Sequence, residues 1–337
     1  MKKTNLITPS SVVLASGGAR GITAQCVIKL AEKAHCKFIL LGRSPVIELP
    51  DYASSGLAES ELKRLIMEDL LSGGQKPLPQ KVNNIFRSIQ ATREITRTIE
   101  AVHQSGGHAE YLNVDITDSA ALKQGLADKT ARLGAVTGVI HGAGSLADKL
   151  IEKKTEQDFE RVYSPKITGL ENILSCVPVA QLDFLVLFSS IVGFYGNIGQ
   201  ADYAIANEIL NKTAHRIKRL YPDLHVISID WGPWEAGMVT PELKQVFEQR
   251  NIKLIPVDAG ARILVKELMP SRQRAAQVII GQTPVYPASE LSAELHQYQI
   301  RRRLRLEANP FLYDHRIGEN SVLPATCAAA WMINACE

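Results

Sequence analysis

VVLASGGARGITAQCVIKLAEKAHCKFILLGRS, residues 12–44, has the pattern of a strand, a glycine-rich turn, a helix and a second strand. Val12–Ala15 is a short β-branched and apolar run, and Ser16-Gly17-Gly18-Ala19-Arg20-Gly21-Ile22-Thr23 follows it as a turn. An Ala/Leu-rich stretch then reads as a helix to about Ala34, and Lys37–Leu41 is the next strand. Glycines let such a turn bend tightly and bring backbone N–H groups up to a pyrophosphate, whose charge a helix N-terminus favours. The third small position is Thr23 rather than Gly, so the turn alone reads as a cofactor loop or as a plain turn. The second strand ends in Gly42-Arg43-Ser44, where an NAD-preferring site usually carries an acid for the ribose hydroxyls. An arginine fork there suits a 2′-phosphate, so the expected cofactor is NADPH; the other reading of Arg43 is a surface residue closing a turn.

Working outward, strand and helix patterns alternate seven times without an internal repeat, as in a doubly wound parallel α/β sheet of Rossmann type. Residues 45–86 break the alternation with Pro, Ser and Gly and one amphipathic piece, Ser60–Leu71, and read as a surface insertion. A helix resumes over Arg87–His103, and Ala109–Val114 is the next strand. Asp115 after it either binds the adenine amino group or acts as an N-cap. Val136–Ile140 runs into His141-Gly142-Ala143-Gly144, small residues that admit a ribose at a strand end. Thr155–Cys176 reads as a long helix with Lys166 on it and a kink or a start at Pro165. His225–Asp230 leads to Trp231-Gly232-Pro233-Trp234, either a loop over the nicotinamide or a packing loop. Pro241–Gln249, Val257–Leu268 and Gln277–Ile280 complete the pattern.

Phe188–Asn211, FSSIVGFYGNIGQADYAIANEILN, carries the chemistry. The apolar run Leu182–Phe188 is a buried parallel strand that brings Ser190 to its carboxyl end. From about Gly199 the pattern is helical, so Tyr203 and Asn207 share one face across a crevice from Ser190.

Bulk properties exclude several classes. The 337 residues are 45% apolar, enough for a sizeable core, and a net charge of +3 does not by itself point to a nucleic-acid partner. Arg301–Arg305 (RRRLR) alternates with apolar residues like a solvated strand face. Cys26, Cys36, Cys176, Cys327 and Cys336 lie far apart with no CxxC pair, which fits a reducing cytoplasm and neither a disulfide framework nor a zinc site. No signal-peptide core and no long apolar run direct the chain to a membrane. Beyond Gly281 the character changes, with a helix-like Ser289–Gln297 and a final helix through Trp331. The expected domains are 1–290 and a cut second domain over 291–337.

Seven motifs, SGGARGIT, LLGRS, HGAG, SPKITG, FSSIVG, the YAIAN core and DWGPWEAGM, together resemble the ketoreductase domains of polyketide and polyunsaturated fatty acid synthases, within the short-chain dehydrogenase superfamily. The resemblance covers about residues 11–285. Ordinary short-chain dehydrogenases place lysine four residues after the tyrosine; here that slot is Asn207 and the lysine is Lys166, the exchange seen in synthase ketoreductases. The resemblance implies NADPH-dependent reduction of a β-ketoacyl thioester on the phosphopantetheine arm of an acyl carrier protein, beside other synthase domains. It makes Tyr203 the acid, Ser190 the carbonyl's hydrogen-bond donor, Lys166 the tuning cation and a ribose contact, and Asn207 a support of the proton relay. Gly17, Gly18, Arg20, Gly21, Ile22, Arg43, Ser44, Asp115, Ile116, Gly142, Lys166 and Tyr203 become the cofactor contacts. Ser145-Leu146-Ala147-Asp148 is similar to the Leu-Asp-Asp fingerprint of 3R-producing members, with Ala147 for the first Asp, and Tyr195 stands where the opposite class carries Trp. His315-Arg316-Ile317-Gly318, with Pro324, resembles the start of a hot-dog dehydratase. The competing function is a cofactor-binding but inactive structural domain of such a synthase.

Overall fold

The computed structural model describes residues 6–53, 56–237, 239, 241–249, 252–269, 275–282, 304–307, 309–324 and 327. They fall into two units, 1–284 and 285–337.

The first unit is a seven-stranded sheet. Its strands are β1 (Val12–Ser16), β2 (Lys37–Gly42), β3 (His108–Asn113), β4 (Gly138–His141), β5 (Phe184–Ser190), β6 (His225–Trp231) and β7 (Gln277–Ile280). They lie in the order β3-β2-β1-β4-β5-β6-β7, and every pairing is parallel. Alternate residues of each strand feed two cores, because successive side chains point to opposite faces. Val13 and Ala15 of β1 join one cluster, while Val12 and Leu14 join the other. The first face is covered by α1 (Gly21–Ala34), α3 (Pro79–Gln104) and α10 (Val257–Glu267), the last preceded in the chain by α9 (Pro241–Gln249). The second is covered by α4 (Ser119–Leu133), α6 (Thr168–Cys176) and α8 (Ala201–Leu220). This is the expected doubly wound sheet. Its order reverses between β1 and β4, so the connections leaving their carboxyl ends diverge and open a crevice there.

The 45–86 insertion is more structured than its sequence pattern suggests. It forms α2 (Glu59–Ser72), close to the amphipathic piece, and α3 begins at Pro79 rather than Arg87. Proline at the first helical position gives up an N–H that has no intrahelical partner anyway. Leu62, Ile66, Leu70, Val82 and Ile89 then bury one another in a third, local core.

Thr155–Cys176 is two helices, α5 (Glu156–Lys166) and α6, broken at Ile167. Thr155 and Asp158 form a reciprocal capping box that fixes the start of α5. Pro165 lacks the N–H that would bond Arg161 O, and Ser145 Oγ donates to that carbonyl instead at 2.6 Å. Trp231 and Trp234 are buried, 4.9 Å apart edge to face, and belong to the first core. Both indole rings pack within that core.

The described part of the second unit is one turn of helix, α11 (Phe311–Asp314), and a hairpin of β8 (Arg316–Ile317) and β9 (Asn320–Ser321) that turns through Gly318 at φ 63°. Residues 289–297, most of RRRLR, the 290 boundary and the last helix lie outside the described residues. His315 is exposed, and its Nδ1–H donates to Val322 O at 2.8 Å. Among the described residues no helix is long and apolar enough to cross a membrane, and no cluster could hold a metal ion.

Candidate active site

The Gly-rich turn leaves β1 and enters α1. Gly17 and Gly21 have φ of 68° and 61°, left-handed values that glycine adopts without a Cβ clash. A Cβ on Gly18 would stand 2.6 Å from Ala15 Cβ. A Cβ on Gly142 would run into Thr23 Oγ1, so Gly142 yields the room that Thr23 takes in place of a third glycine. Arg20 at the N-cap makes no side-chain cap, and no acid lies in the first turn of α1. Uncapped N–H groups and a positive helix end suit a pyrophosphate, so these residues fit a dinucleotide.

Arg20 and Ser44 meet at the end of β2. Arg20 Nη1 donates to Ser44 Oγ at 3.3 Å, and its Nε donates to Glu94 of α3 at 2.5 Å. Arg43 is 64% exposed, and Asp115 Oδ2 lies 3.8 Å from its guanidinium. Such a loose, open pair contributes little and leaves the fork available. Asp115 is not the N-cap of α4; Asp118 is, accepting from Ala121 N at 3.0 Å. Asp115 Oδ1 accepts from Thr117 N and Oγ1 at 2.9 and 2.8 Å, a local turn that holds its carboxylate at the crevice. Ile116 is buried in the second core, and Gly169 packs against it. Gly237, at φ 81°, approaches Ile22.

Across the crevice, β5 and β6 present Ser190 beside Trp231 in register. Ser190 Oγ accepts from Val192 N at 3.2 Å, capping α7 (Ile191–Tyr195) while its O–H remains a donor. Gly193 lets α8 come close, since a Cβ there would stand 2.8 Å from Asn207 Cβ. Tyr203 and Asn207 lie one turn apart on α8, and Asn207 Nδ2 donates to Tyr203 O at 2.7 Å. Asn207 Oδ1 is buried with no hydrogen-bond partner, an acceptor facing an unfilled role. Lys166 arrives from the last turn of α5, 4% exposed, with Nζ 5.7 Å from the centroid of the Tyr203 ring and donating to Phe188 O at 2.8 Å. Gly144 makes way for it, since a Cβ there would stand 3.1 Å from Lys166 Cε. The structure thus gathers Ser190, Tyr203, Asn207 and Lys166 at one crevice, with the Gly17–Thr23 turn after β1 and Arg43 after β2 on the other side of the switch point.

The charges follow from burial. Burial lowers the Lys166 ammonium to about 8, so it is still mostly protonated at neutral pH. Burial raises the Tyr203 phenol above its usual value, hydrogen bonds from Ser190 and Asn207 pull it back, and the Asp148 carboxylate adds to the rise. Tyr203 is therefore a protonated donor with a cation beside the tyrosinate it would leave.

One further link, at His141, leaves little trace in the sequence. His141 is fully buried; its Nε2–H donates to Lys166 O at 2.9 Å, while Nδ1 accepts from Ser16 Oγ at 2.8 Å. Ala143 N in turn donates to Ser16 Oγ at 3.3 Å. Burial holds the His141 pKa near 3, so the ring is neutral and its tautomer fixed by the carbonyl. A lone His closing a buried strand, in HGAG, was the available signal.

Residues 11–236 match the family model described as a KR domain. The chain belongs to the ketoreductase (KR) domain family. It is 36% identical over 98% of its length to a component of the polyunsaturated fatty acid synthase of Thraustochytrium sp., but spans only 12% of that protein. It is 33% identical over half its length to polyketide synthase PksN of Bacillus subtilis, spanning 3% of it. Among solved structures, the ketoreductase from the first module of phoslactomycin biosynthesis in Streptomyces sp. HK803 superposes with a TM-score of 0.61 at 27% identity, over 83% of this chain and 55% of that one. The KR domain thus has the parallel sheet of short-chain dehydrogenases and is an oxidoreductase by family.

Proposed function

We propose that this KR domain reduces a β-ketoacyl thioester, carried on the phosphopantetheine arm of an acyl carrier protein, to the (3R)-hydroxyacyl thioester with NADPH. The observation that carries the reading is the Lys166 ammonium 5.7 Å from the Tyr203 ring, with Ser190 and Asn207 at the same crevice. A hydride transfer to a ketone needs a proton for the developing alkoxide. Tyr203 O–H supplies it, and Ser190 O–H donates to the same oxygen and holds the carbonyl in place. The fixed charge of Lys166 favours the tyrosinate left behind, a preorganised electrostatic contribution. One of its three N–H groups is bound to Phe188 O, which leaves donors for ribose hydroxyls. The unpartnered Asn207 Oδ1 can accept from a water or hydroxyl that returns a proton to Tyr203.

The Gly17–Ile22 turn would hold the pyrophosphate, Arg43 with Ser44 and Arg20 the 2′-phosphate, and Asp115 and Ile116 the adenine end, with Gly142 against the ribose. NADPH supplies the hydride when bound. Ala147, Asp148 and Tyr195 motivate the 3R assignment, which rests on the family fingerprint. The reading places the domain in a cytoplasmic polyketide or polyunsaturated fatty acid synthase, with His315 marking a dehydratase-like segment that follows. Chiral analysis of the reduced thioester tests the stereochemistry: a mainly 3R alcohol is expected, and mainly 3S product would overturn it.

A further inference from the structure

The segment after β4 is fastened at more points than chain connectivity requires. Ser145 Oγ donates to Arg161 O, Lys149 N donates to Gly199 O at 3.0 Å, and Gln200 Nε2 donates to Asp148 Oδ2 at 2.9 Å. At its far end stands a buried ion pair. Lys154 Nζ lies 2.7 Å from Asp202 Oδ2 and 2.7 Å from Ala147 O, and the two side chains are 8% and 1% exposed. The other Asp202 oxygen accepts from Tyr203 N at 2.8 Å, an N–H in the first turn of α8 that has no intrahelical acceptor. One lysine therefore closes the 147–154 loop on itself and ties it to the backbone of the tyrosine.

Desolvating both ions cancels much of their attraction, so a well-packed apolar pair would stabilise this contact as well or better. What the ion pair adds is direction: it admits one register between the loop and α8, where an apolar contact tolerates several. The loop it fixes is a wall of the crevice. Gly144 lies against Lys166, and the Asp148 carboxylate is close enough to act on the Tyr203 phenol.

We propose that Lys154 and Asp202 are positioning residues that set the 145–150 wall against Tyr203 and so fix how the β-keto thioester is presented to the catalytic groups. The substrate in this statement rests on the reductase reading; the clamp itself does not.

The test uses the whole chain and the variants Lys154→Met, Asp202→Asn, the double variant Lys154→Met/Asp202→Asn, and Lys154→Arg. Each single neutral variant is expected to raise KM for the β-ketoacyl thioester about tenfold or more and to erode the single-enantiomer product. The NADPH dissociation constant should not change, and amide exchange in the 145–150 peptide should quicken. Lys154→Arg, which keeps the charge, should retain wild-type values. Because a lone buried Asp202 could unfold the chain, the double variant removes both charges; it should melt as wild type does yet show the same KM, enantiomer and exchange changes. A folded double variant with wild-type KM, enantiomer ratio and exchange overturns the proposal. If wild type turns over no thioester, the reductase reading fails, and the exchange measurement alone decides the clamp: unchanged exchange over 145–150 in the double variant overturns it.

Discussion

Replacing Lys166 with Met should abolish catalysis while leaving the fold as stable as before, or more so. Lys166 titrates near 8 in the folded chain against 10.5 for an ordinary lysine. At about 1.4 kcal/mol per pH unit, the buried charge costs about 3 kcal/mol at pH 7. The methionine variant escapes that cost but leaves Phe188 O without its donor, a loss of about 1–3 kcal/mol. The variant should therefore equal wild type at pH 7 or exceed it by up to about 2 kcal/mol. The sign with pH is determined: between about 8 and 10.5 the unfolded chain binds the proton that the folded chain has released, so wild type gains stability as pH rises. Near pH 9.5 the remaining cost is about 1.4 kcal/mol, so the difference between variant and wild type should shift by about 2 kcal/mol in favour of wild type. Urea unfolding of both proteins at pH 7 and 9.5 measures this, and ketone reduction by the variant should fall at least about a hundredfold. A stability difference that does not move with pH would refute the buried, depressed ammonium.

Arg43→Ala should raise KM for NADPH about ten- to a hundredfold while leaving KM for NADH nearly unchanged; equal effects on both would remove Arg43 from phosphate recognition. His141, held near 3 against an ordinary 6.5, leaves the unfolded chain as the proton binder between those values, so stability should fall as pH drops below 6.5. His141→Gln should flatten that slope by about 1.4 kcal/mol per pH unit below 6, read from urea midpoints at pH 6 and 4.

The central strands were legible because a strand buried on both faces is a continuous apolar run, and all seven expected strands, the half-buried edges β3 and β7 included, formed to within two residues at either end. The first two turns of α3 were not, since Gln80, Lys81, Asn83 and Asn84 mask the apolar stripe of Val82, Ile85 and Phe86 that the local core absorbs. The start signal, Pro79, was present. Ser190, Tyr203 and Asn207 could be placed because strand end and helix period are local. Lys166 was found by spacing within a family pattern, and its position beside the Tyr203 ring depends on the capping box of α5 and the break at Ile167. Asp115 and Asp118 compete for one cap on local grounds, and only the backbone path after β3 decides for Asp118. Lys154 and Asp202 carry no local signal at all: they lie 48 residues apart, and a single sequence shows a lysine and an aspartate without their pairing.

Tyr203 is proposed as the group that protonates the product of hydride transfer to a β-keto thioester. Purified chain, NADPH and a β-ketoacyl thioester, followed by loss of nicotinamide absorbance, test it most directly in wild type and Tyr203→Phe. Wild type should oxidise NADPH steadily, and the variant should be slower by at least about a hundredfold with NADPH binding retained. Equal rates for the two proteins, or NADPH binding without turnover by wild type, would contradict that role.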